Sequence, residues 1–373
     1  MRRSSATALA IVQLAGSADW AGGERYLEVL ARHLDRKRFR LEVIAPAEGP
    51  LRHALEALGV PVHVVPLDSL VRLGAVRELA RLLRRLSPSL LQSHGARSNF
   101  YARLAGRAAR VPVIVSTVHN SLRDYPVSRA RRRLYLTLDR VSLPLVSRVL
   151  CVAGALAREY GRRATVIHNG VDLASFDPAK ASREETRRAL GLSPDPVLGF
   201  VGRFTPQKDP VSFIRVVAEL RHAIPRAQAL LVGDGPLRSV VEAEATRLGV
   251  RGACHFTGVQ RDIPPLLSAM DLVILSSVSE GFPFVALEAM AMERPVVAAA
   301  VNGVPELIED GVSGRLAPSG DVGALARASL ELLTSPEQGR ALGRAARQRV
   351  ARHFTVERMV AETEALYLEL LGG

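Results

Sequence analysis

Short apolar runs alternate with longer amphipathic ones along the first half of the chain. The short runs are rich in β-branched residues, and the longer ones repeat apolar residues at helical spacing, so they predict alternating strands and helices. Such alternation produces a parallel sheet with right-handed crossovers. The predicted strands cover residues 8–14, 41–45, 62–65, 90–93, 113–118, 148–152 and 165–167, and the predicted helices cover 23–34, 51–58, 71–86 and 98–108.

A break in this pattern predicts a domain boundary near residues 175–195. Turn residues fill 169–178, and a polar, charged stretch follows at 180–196. The alternation then resumes, with predicted strands at 197–201, 229–232, 254–257, 272–275 and 295–299, and an amphipathic helix at 356–371. We therefore expect an α/β protein with two sheet-and-helix domains facing each other across a cleft, a usual place for a ligand.

The charge of the chain is uneven. Its 373 residues carry a net charge of +13. Residues 1–175 hold 28 Lys and Arg against 13 Asp and Glu, so the basic excess lies in the first half. This favours an anionic partner, such as a membrane surface, a phosphorylated acceptor or nucleic acid, or else an Arg-rich solvated surface. The basic run 125–140 is likewise typical of a membrane-surface helix or of a solvated helix face.

The cysteines and the apolar runs indicate a cytoplasmic protein. Cys151 and Cys254 are the only cysteines and show no metal-ligand spacing, so a reducing compartment is the default. No uninterrupted apolar run approaches the roughly 20 residues that span a bilayer. Residues 8–15 loosely imitate a signal peptide but continue into a helix, so they predict a first strand. Any membrane contact is expected to be peripheral, on the inner face of the cell membrane.

Glycine turns with cations follow the strands of the second half. Arg203 and Lys208 flank the loop after strand 197–201, where they can hold a diphosphate from both sides or simply be solvated. Gly233 and Asp234 lie in the turn of a strand-turn-helix segment, 230–238, that has Arg238 in place of the third glycine of a dinucleotide fingerprint. This loop suits a base or ribose better than a nicotinamide site, and Gly258 and Val259 lie on the next such turn.

Two glutamates follow strand 272–275. Glu280 falls on a Gly-Pro turn and Glu288 falls in the apolar helical run behind it. An ionised carboxylate only accepts hydrogen bonds, so it suits the hydroxyls of a sugar or ribose, and a helix N-terminus beside it offers unpaired N–H groups. The alternative is a solvated turn residue and a surface helix residue. In the first half, Gly22-Gly23 could approach an anion or form only a tight turn.

Together these residues resemble the family 4 glycosyltransferases, which are retaining nucleotide-sugar enzymes with two facing Rossmann-like domains, the GT-B architecture. The resemblance covers nearly the whole chain. Its most specific element is the Glu-x7-Glu pattern of Glu280 and Glu288. The other matching motifs are Val201-Gly202-Arg203 with Lys208, Val232-Gly233-Asp234-Gly235-Pro236, Phe256-Thr257-Gly258, Gly303-Val304-Pro305-Glu306 and Ile167-His168-Asn169-Gly170-Val171-Asp172.

The resemblance implies a role for each matching residue. Arg203 and Lys208 would hold the donor diphosphate, Glu288 would accept from the ribose hydroxyls, and Glu280 would hold the transferred hexose. His119 matches the active-site histidine of the family, while His94 matches a strand-end motif that is more often structural. The implied catalytic residues are His119, Glu280, Arg203 and Lys208, and the implied donor-binding residues are Gly22, Gly23, Gly202, Arg203, Lys208, Gly233, Asp234, Gly258, Val259, Glu280, Gly281, Phe282, Pro283, Phe284, Val285 and Glu288.

The family also implies domain roles: residues 1–175 bind the acceptor, 176–355 bind the donor, and the helix in 356–373 returns to the first domain. Pro283 and Asn302 stand where many relatives have glycine, and Ala153-Gly154 replaces a common serine. These departures blur the donor assignment, because Pro283 lacks a backbone N–H.

The expected activity is retaining transfer of a hexosyl group from a UDP-, GDP- or ADP-sugar to a glycan or lipid-linked acceptor. The chain contains no Asp-x-Asp metal motif, so protein cations would replace a metal, and no cofactor is expected. A nucleotide-sugar 2-epimerase of the same fold remains an alternative, as does a basic membrane or nucleic-acid-binding module. Nucleic acid is not an expected partner, since aromatic residues make up only 5% of the chain and do not interleave with basic ones.

Overall fold

The structure, a computed structural model, describes residues 8–19, 22–67, 72–125 and 127–372. The chain divides into two compact units, residues 1–168 with 356–373 and residues 169–355. The first unit ends seven residues before the boundary expected at 175. The segment after His168 belongs to the second unit because Val171 forms a bridge with Thr355 and Arg347 donates a hydrogen bond to the Phe176 carbonyl at 2.9 Å.

The first unit contains a seven-stranded sheet in the order β3-β2-β1-β4-β5-β6-β7. Each neighbouring pair is parallel. The strands are β1 (Leu9–Leu14), β2 (Phe39–Ala45), β3 (Val62–Val64), β4 (Leu90–His94), β5 (Val113–Val118), β6 (Arg148–Cys151) and β7 (Ala164–Val166). The helices are α1 (Gly22–His33), α2 (Pro50–Glu56), α3 (Leu73–Leu86), α4 (Ala96–Ala108), α5 (Arg129–Ser142), α6 (Gly154–Ala157) and, at the far end of the chain, α15 (Val356–Leu371).

The central strands of this sheet are buried on both faces. Every residue of β4 and β5 is buried, which explains why 113–118 is a continuous apolar and small-polar run. The last helix, α15, packs against α1, and its Tyr367 is fully buried. Residue 71, where the predicted helix 71–86 begins, lies outside the described residues. Residue 126 of the basic run 125–140 also lies outside them.

The second unit contains a six-stranded parallel sheet in the order β10-β9-β8-β11-β12-β13. Its strands are β8 (Val197–Val201), β9 (Gln228–Val232), β10 (Cys254–Gly258), β11 (Leu272–Leu275), β12 (Val296–Ala299) and β13 (Arg315–Ala317). Its helices are α7 (Arg183–Ala189), α8 (Pro210–Ala223), α9 (Arg238–Arg247), α10 (Pro264–Ala269), α11 (Phe284–Ala291), α12 (Val304–Leu307), α13 (Val322–Thr334) and α14 (Pro336–His353).

The stretch 180–196 is not a linker, because it contains α7. Ser182 caps this helix by accepting from the Glu185 amide. Arg187 is 8% exposed, donates to the Ala269 carbonyl and pairs with Asp271 at 2.6 Å. The charges of this segment therefore bind α7 to the end of α10 and the start of β11.

The core of the second unit surrounds β8 and α8. Asp209 caps α8 by accepting from the Ser212 amide, and Pro210 occupies the first turn, where its missing N–H costs nothing. The rings of Phe204 and Phe213 contact the ring of Phe200 at centroid distances of 5.7 Å and 5.5 Å. This packing fixes the loop that follows β8, which carries Arg203 and Lys208.

Candidate functional site

The glycine loops of the second unit follow adjacent strands. In the order β10-β9-β8-β11, the parallel strands place their carboxyl ends side by side along one edge of the sheet. Gly258, Gly233, Gly202 and Glu280 stand at or after those four ends. Ligands of open α/β sheets bind at this edge, so the structure gathers the predicted donor residues of the second unit where such a ligand binds.

Two of these glycines are required by the approach of neighbouring backbone. Gly233 has a φ of 128°, and a Cβ there would lie 2.0 Å from the Gly202 carbonyl oxygen. A Cβ on Gly235 would lie 2.7 Å from the Phe204 carbonyl oxygen. The Gly233 amide also donates to the Gly258 carbonyl at 2.8 Å. The loops after β8, β9 and β10 thus contact one another through backbone atoms, and side chains at these glycines would push the loops apart.

Glu280 is held by two donors at the carboxyl end of β11. It is 4% exposed, and its Oε1 accepts from Lys208 Nζ at 2.5 Å and from Ser277 Oγ at 2.6 Å. Gln207 joins the same two loops, since its carbonyl accepts from the Val278 amide at 2.9 Å and its Nε2 donates to the Ser279 carbonyl at 3.1 Å. Folding therefore pairs the cation of one predicted loop with the carboxylate of another.

Arg203 differs from Lys208 in being exposed. Within the described part of the chain it forms neither a hydrogen bond nor an ion pair through its guanidinium. A guanidinium carries five N–H donors in a fork that matches phosphate oxygens. Asp234 and Val259 are also exposed, and the Asp234 carboxylate accepts from the Gly235 amide at 2.7 Å. This edge of the sheet can therefore offer an anion an unengaged cation.

The N-terminus of α11 adds backbone donors. The helix begins at Phe284, with Pro283 as an N-cap that provides no side-chain hydrogen bond. The amides of Phe284 and Val285 find no acceptor among the residues that the structure describes. Proline at Pro283 removes an N–H that the helix would not have used, so this departure from glycine is tolerated. Glu288 lies in the next turn and is 7% exposed.

Asn169 and Asn302 hold the turn before α11. Asn169 is 4% exposed and donates from Nδ2 to the Phe282 carbonyl at 2.7 Å. Asn302 donates from Nδ2 to Ser279 Oγ at 3.1 Å and has a φ of 40°. Among residues with a side chain, asparagine enters this left-handed region most readily, which explains how it replaces a glycine.

In the first unit, two predicted residues meet near the end of β5. A Cβ on Gly23 would lie 3.6 Å from His119 Cδ2. His94 ends the neighbouring strand β4, and its Nδ1 lies 2.9 Å from His119 Nε2. Burial lowers the pKa of His119 to about 4, and burial together with His119 lowers the pKa of His94 well below its usual value. Both rings are therefore neutral near pH 7.

The described residues show no group of three or more His, Cys, Asp and Glu side chains that could hold a metal ion. None of the helices in the described ranges is long and apolar enough to cross a membrane.

Comparison with known proteins assigns both units to one family. The model of the Glycosyl transferases group 1 matches residues 182–349, and that of Glycosyltransferase Family 4 matches residues 20–175. The 2-deoxystreptamine glucosyltransferase of Streptomyces kanamyceticus is 31% identical over 80% of this chain and 82% of its own length. The chain belongs to the family 4 glycosyltransferases. It therefore transfers a sugar from a nucleotide sugar, as the sequence predicts.

Other relatives of this glycosyltransferase agree with that assignment. The UDP-Gal:alpha-D-GlcNAc-diphosphoundecaprenol alpha-1,3-galactosyltransferase of Escherichia coli is 25% identical over 91% of both chains. The crystal structure of Anabaena HepE in complex with UDP and glucose superposes with a TM-score of 0.85 at 25% identity, over 97% of this chain and 100% of that one. The predicted fold class, two Rossmann-like domains of the GT-B type, is confirmed.

Some residues that shape this glycosyltransferase site were not singled out from the sequence. Ser277 and Gln207 lie in the predicted loops, but a serine and a glutamine in a loop carry no distinguishing signal. Asn169 is part of the Asn-Gly-Val-Asp motif, and only its contact with the Phe282 carbonyl shows what its side chain does. The catalytic and donor-binding roles of the named residues stay predictions.

Proposed function

We propose that this glycosyltransferase moves a hexosyl group from a UDP-hexose to a glycan or lipid-linked acceptor, with retention of configuration and without a metal ion. The observation that carries the proposal is the Lys208–Glu280 pair at the sheet edge, whose Lys208 shares the loop after β8 with the exposed Arg203. Anabaena HepE, which shares this fold, is solved with UDP and glucose, and the Escherichia coli relative is named for a UDP-galactose donor.

The chemistry of these groups suits a leaving diphosphate and a sugar. In the proposed reaction, Arg203 and Lys208 stabilise the charge that develops on the departing UDP phosphate, as cations already in place before the reaction do. The Glu280 carboxylate accepts from the hexose hydroxyls and Glu288 from the ribose. Glu280 is occupied by Lys208 and Ser277, which suits an orienting group better than a nucleophile.

We therefore favour a front-face substitution. The bond from the anomeric carbon to the phosphate oxygen breaks while the acceptor oxygen bonds to the same face. The proton of the acceptor hydroxyl passes to the departing phosphate oxygen, so no covalent glycosyl-enzyme forms and the configuration is retained.

A lipid-linked acceptor would bring the enzyme to the cytoplasmic face of a membrane. The Escherichia coli relative is named for such an acceptor. Helix α5 supports peripheral contact here, because Arg129, Arg131 and Arg133 are all exposed on it and would attract anionic lipid.

The donor is tested by a thermal-shift screen against UDP-, GDP- and ADP-sugars. We expect a UDP-hexose to raise the melting temperature and Glu288→Gln to abolish that rise, because the amide replaces an acceptor of ribose hydroxyls with a partial donor. Glu337→Gln is the matched control, since Glu337 is exposed in the first turn of α14. An unchanged shift in Glu288→Gln would refute the ribose assignment.

The reaction is tested with the donor so identified. We expect the anomeric configuration of the product, read by NMR, to match the donor, and turnover to survive EDTA. Interconversion of the donor without an acceptor would instead indicate a 2-epimerase, and a glycosyl-enzyme trapped in mass spectrometry would exclude the front-face mechanism.

A further inference from the structure

A buried chain of hydrogen bonds leads from His119 to the last helix of the protein. It crosses the centre of the first sheet and includes one residue from β1, two from β4, one from β5 and one from α15. Its members are His119, His94, Gln13, Gln92, Thr117 and Tyr367. All but His119 are at most 1% exposed, so water does not compete for these bonds.

The amide orientations of Gln13 and Gln92 set the direction of each bond. The Tyr367 hydroxyl donates to Gln92 Oε1, and Gln92 Nε2 donates to Thr117 Oγ1 at 2.7 Å. Gln13 Nε2 then donates to the Tyr367 oxygen at 2.9 Å. The other end of the Gln13 amide, its Oε1, lies 2.8 Å from His94 Nε2. An amide oxygen can only accept, so His94 carries its proton on Nε2.

The order of protons continues to His119. A neutral imidazole has one N–H, so His94 Nδ1 is an acceptor and His119 Nε2 must donate to it across their 2.9 Å contact. The low pKa values of both rings are consistent with two neutral imidazoles. The remaining nitrogen, His119 Nδ1, then holds a lone pair, and no group in the described ranges hydrogen-bonds to it.

We propose that Gln13, His94 and Tyr367 are positioning residues that hold His119 as the Nε2–H tautomer and leave its Nδ1 to accept a hydrogen bond from a substrate hydroxyl. His119 is therefore an acceptor on its outer edge and cannot donate to a phosphate oxygen from that nitrogen. The helix α15 takes part through Tyr367, whose hydroxyl oxygen accepts from Gln13 Nε2 while Gln13 Oε1 faces His94.

The consequence for catalysis rests on the proposed function, whereas the tautomer does not. In a glycosyl transfer, an acceptor nitrogen orients a sugar hydroxyl by taking its hydrogen bond. A ring in the other tautomer would present an N–H at that position, and an N–H cannot accept the hydrogen bond that the hydroxyl donates. A wrong tautomer lowers turnover without removing the contact surface, so the loss is expected in kcat rather than in the donor KM.

The tautomer is read directly from the ligand-free protein. Long-range 1H–15N correlation spectra of protein labelled with 15N-histidine distinguish protonated from bare ring nitrogens. The chain has nine histidines, and the His119 signal is assigned by its absence in His119→Gln. We expect a protonated Nε2 and a bare Nδ1 near pH 7. A protonated Nδ1 would overturn the proposal, whatever any variant does.

Two variants of Gln13 and one control variant test the positioning role. Gln13→Leu removes the acceptor, and we expect His119 to populate both tautomers and kcat to fall roughly 10- to 100-fold, with little change in donor KM. Gln13→Glu keeps an oxygen acceptor, so it retains the tautomer and more of kcat. Asn99→Leu is the matched control, because Asn99 is a buried amide whose side chain hydrogen-bonds to Ser93 and the Thr117 carbonyl and to neither histidine.

The outcomes separate the two proposals. An unchanged His119 signal in Gln13→Leu would overturn the role of Gln13. Signals of both His119 tautomers in Asn99→Leu would overturn it as well, because loss of an unrelated buried amide would then have the same effect. If the Nε2–H signal is found but no UDP-sugar is turned over, the proposed function fails and the tautomer assignment stands.

Discussion

The two side chains of the Lys208–Glu280 ion pair are buried to different extents, so we expect their removal to lower the stability of the protein by different amounts. The Glu280 side chain is 6% exposed and that of Lys208 is 24% exposed. After loss of Glu280, the Lys208 ammonium can still reach water. After loss of Lys208, the Glu280 carboxylate is left in a buried position, where the Ser277 hydroxyl still donates to it.

These contacts set the expected magnitudes. Breaking a buried ion pair from one side costs about 3–5 kcal/mol, because the remaining charge is unsolvated. Since Lys208 is partly exposed, we expect Lys208→Met to cost about 3 kcal/mol, at the lower end of that range. Glu280→Gln keeps an oxygen acceptor for both donors but removes the carboxylate charge that strengthens these bonds, so we expect about 1–1.5 kcal/mol.

The double variant Lys208→Met with Glu280→Gln contains no stranded charge. It should therefore be less unstable than the sum of the single variants, with a coupling energy of about 1–2 kcal/mol. The free energies of unfolding are measured by urea denaturation of the full chain, followed by far-ultraviolet circular dichroism, because residues 169–355 contain neither Trp nor Tyr. Glu337→Gln on α14 serves as the exposed control and should cost less than about 0.5 kcal/mol. A larger loss in Glu280→Gln than in Lys208→Met, or additive effects, would refute the reasoning.

Two further predictions concern the first unit. Gly22→Ala and Gly23→Ala should both fold, because neither glycine has a positive φ and a new Cβ meets nothing within 4 Å at Gly22 and only His119, at 3.6 Å, at Gly23. Only Gly23→Ala should lower the rate of sugar transfer, measured as kcat at a saturating donor concentration. Equal losses of kcat in the two variants would contradict the placement of Gly23 against His119. The free energy of unfolding should fall as pH drops from 6.5 towards 4, because the folded pKa values of His94 and His119 lie below the ordinary 6.5 and the unfolded chain then binds more protons. Urea titrations at several pH values test this. If His119→Gln leaves the slope of unfolding free energy against pH unchanged, His119 does not contribute to it.

The central strands could be predicted from the sequence because their local pattern fits one structure. The strands predicted at 113–118, 197–201 and 272–275 have those same bounds in the structure. Each is a short run of apolar or small residues rich in β-branched side chains, and such a run between turn signals is typical of a central parallel strand. The three-residue strand β13 was missed although β3 and β7, which are equally short and also lie at sheet edges, were predicted, because its Arg-Leu-Ala sequence lacks the β-branched residues of those two strands.

Helix α7 shows where prediction from local sequence fails. The segment 180–196 looks like a linker because it is polar and charged. Arg183 and Arg187 are nevertheless held by Asp271, which lies more than 80 residues away along the chain. The sequence shows the charges but does not show that their partner lies at the start of β11.

The sequence by itself determined the family, the two parallel sheets and the loops that carry the predicted donor residues, because each of these depends on motifs and periods within a short window. The tertiary structure alone decided which of those residues meet. Lys208 binds Glu280 because β8 and β11 are neighbours, and His94 binds His119 because β4 and β5 are neighbours. Strand order is set by packing of the whole sheet, so no single segment of the sequence predicts the chain of hydrogen bonds from Tyr367 through Gln13 and His94 to His119.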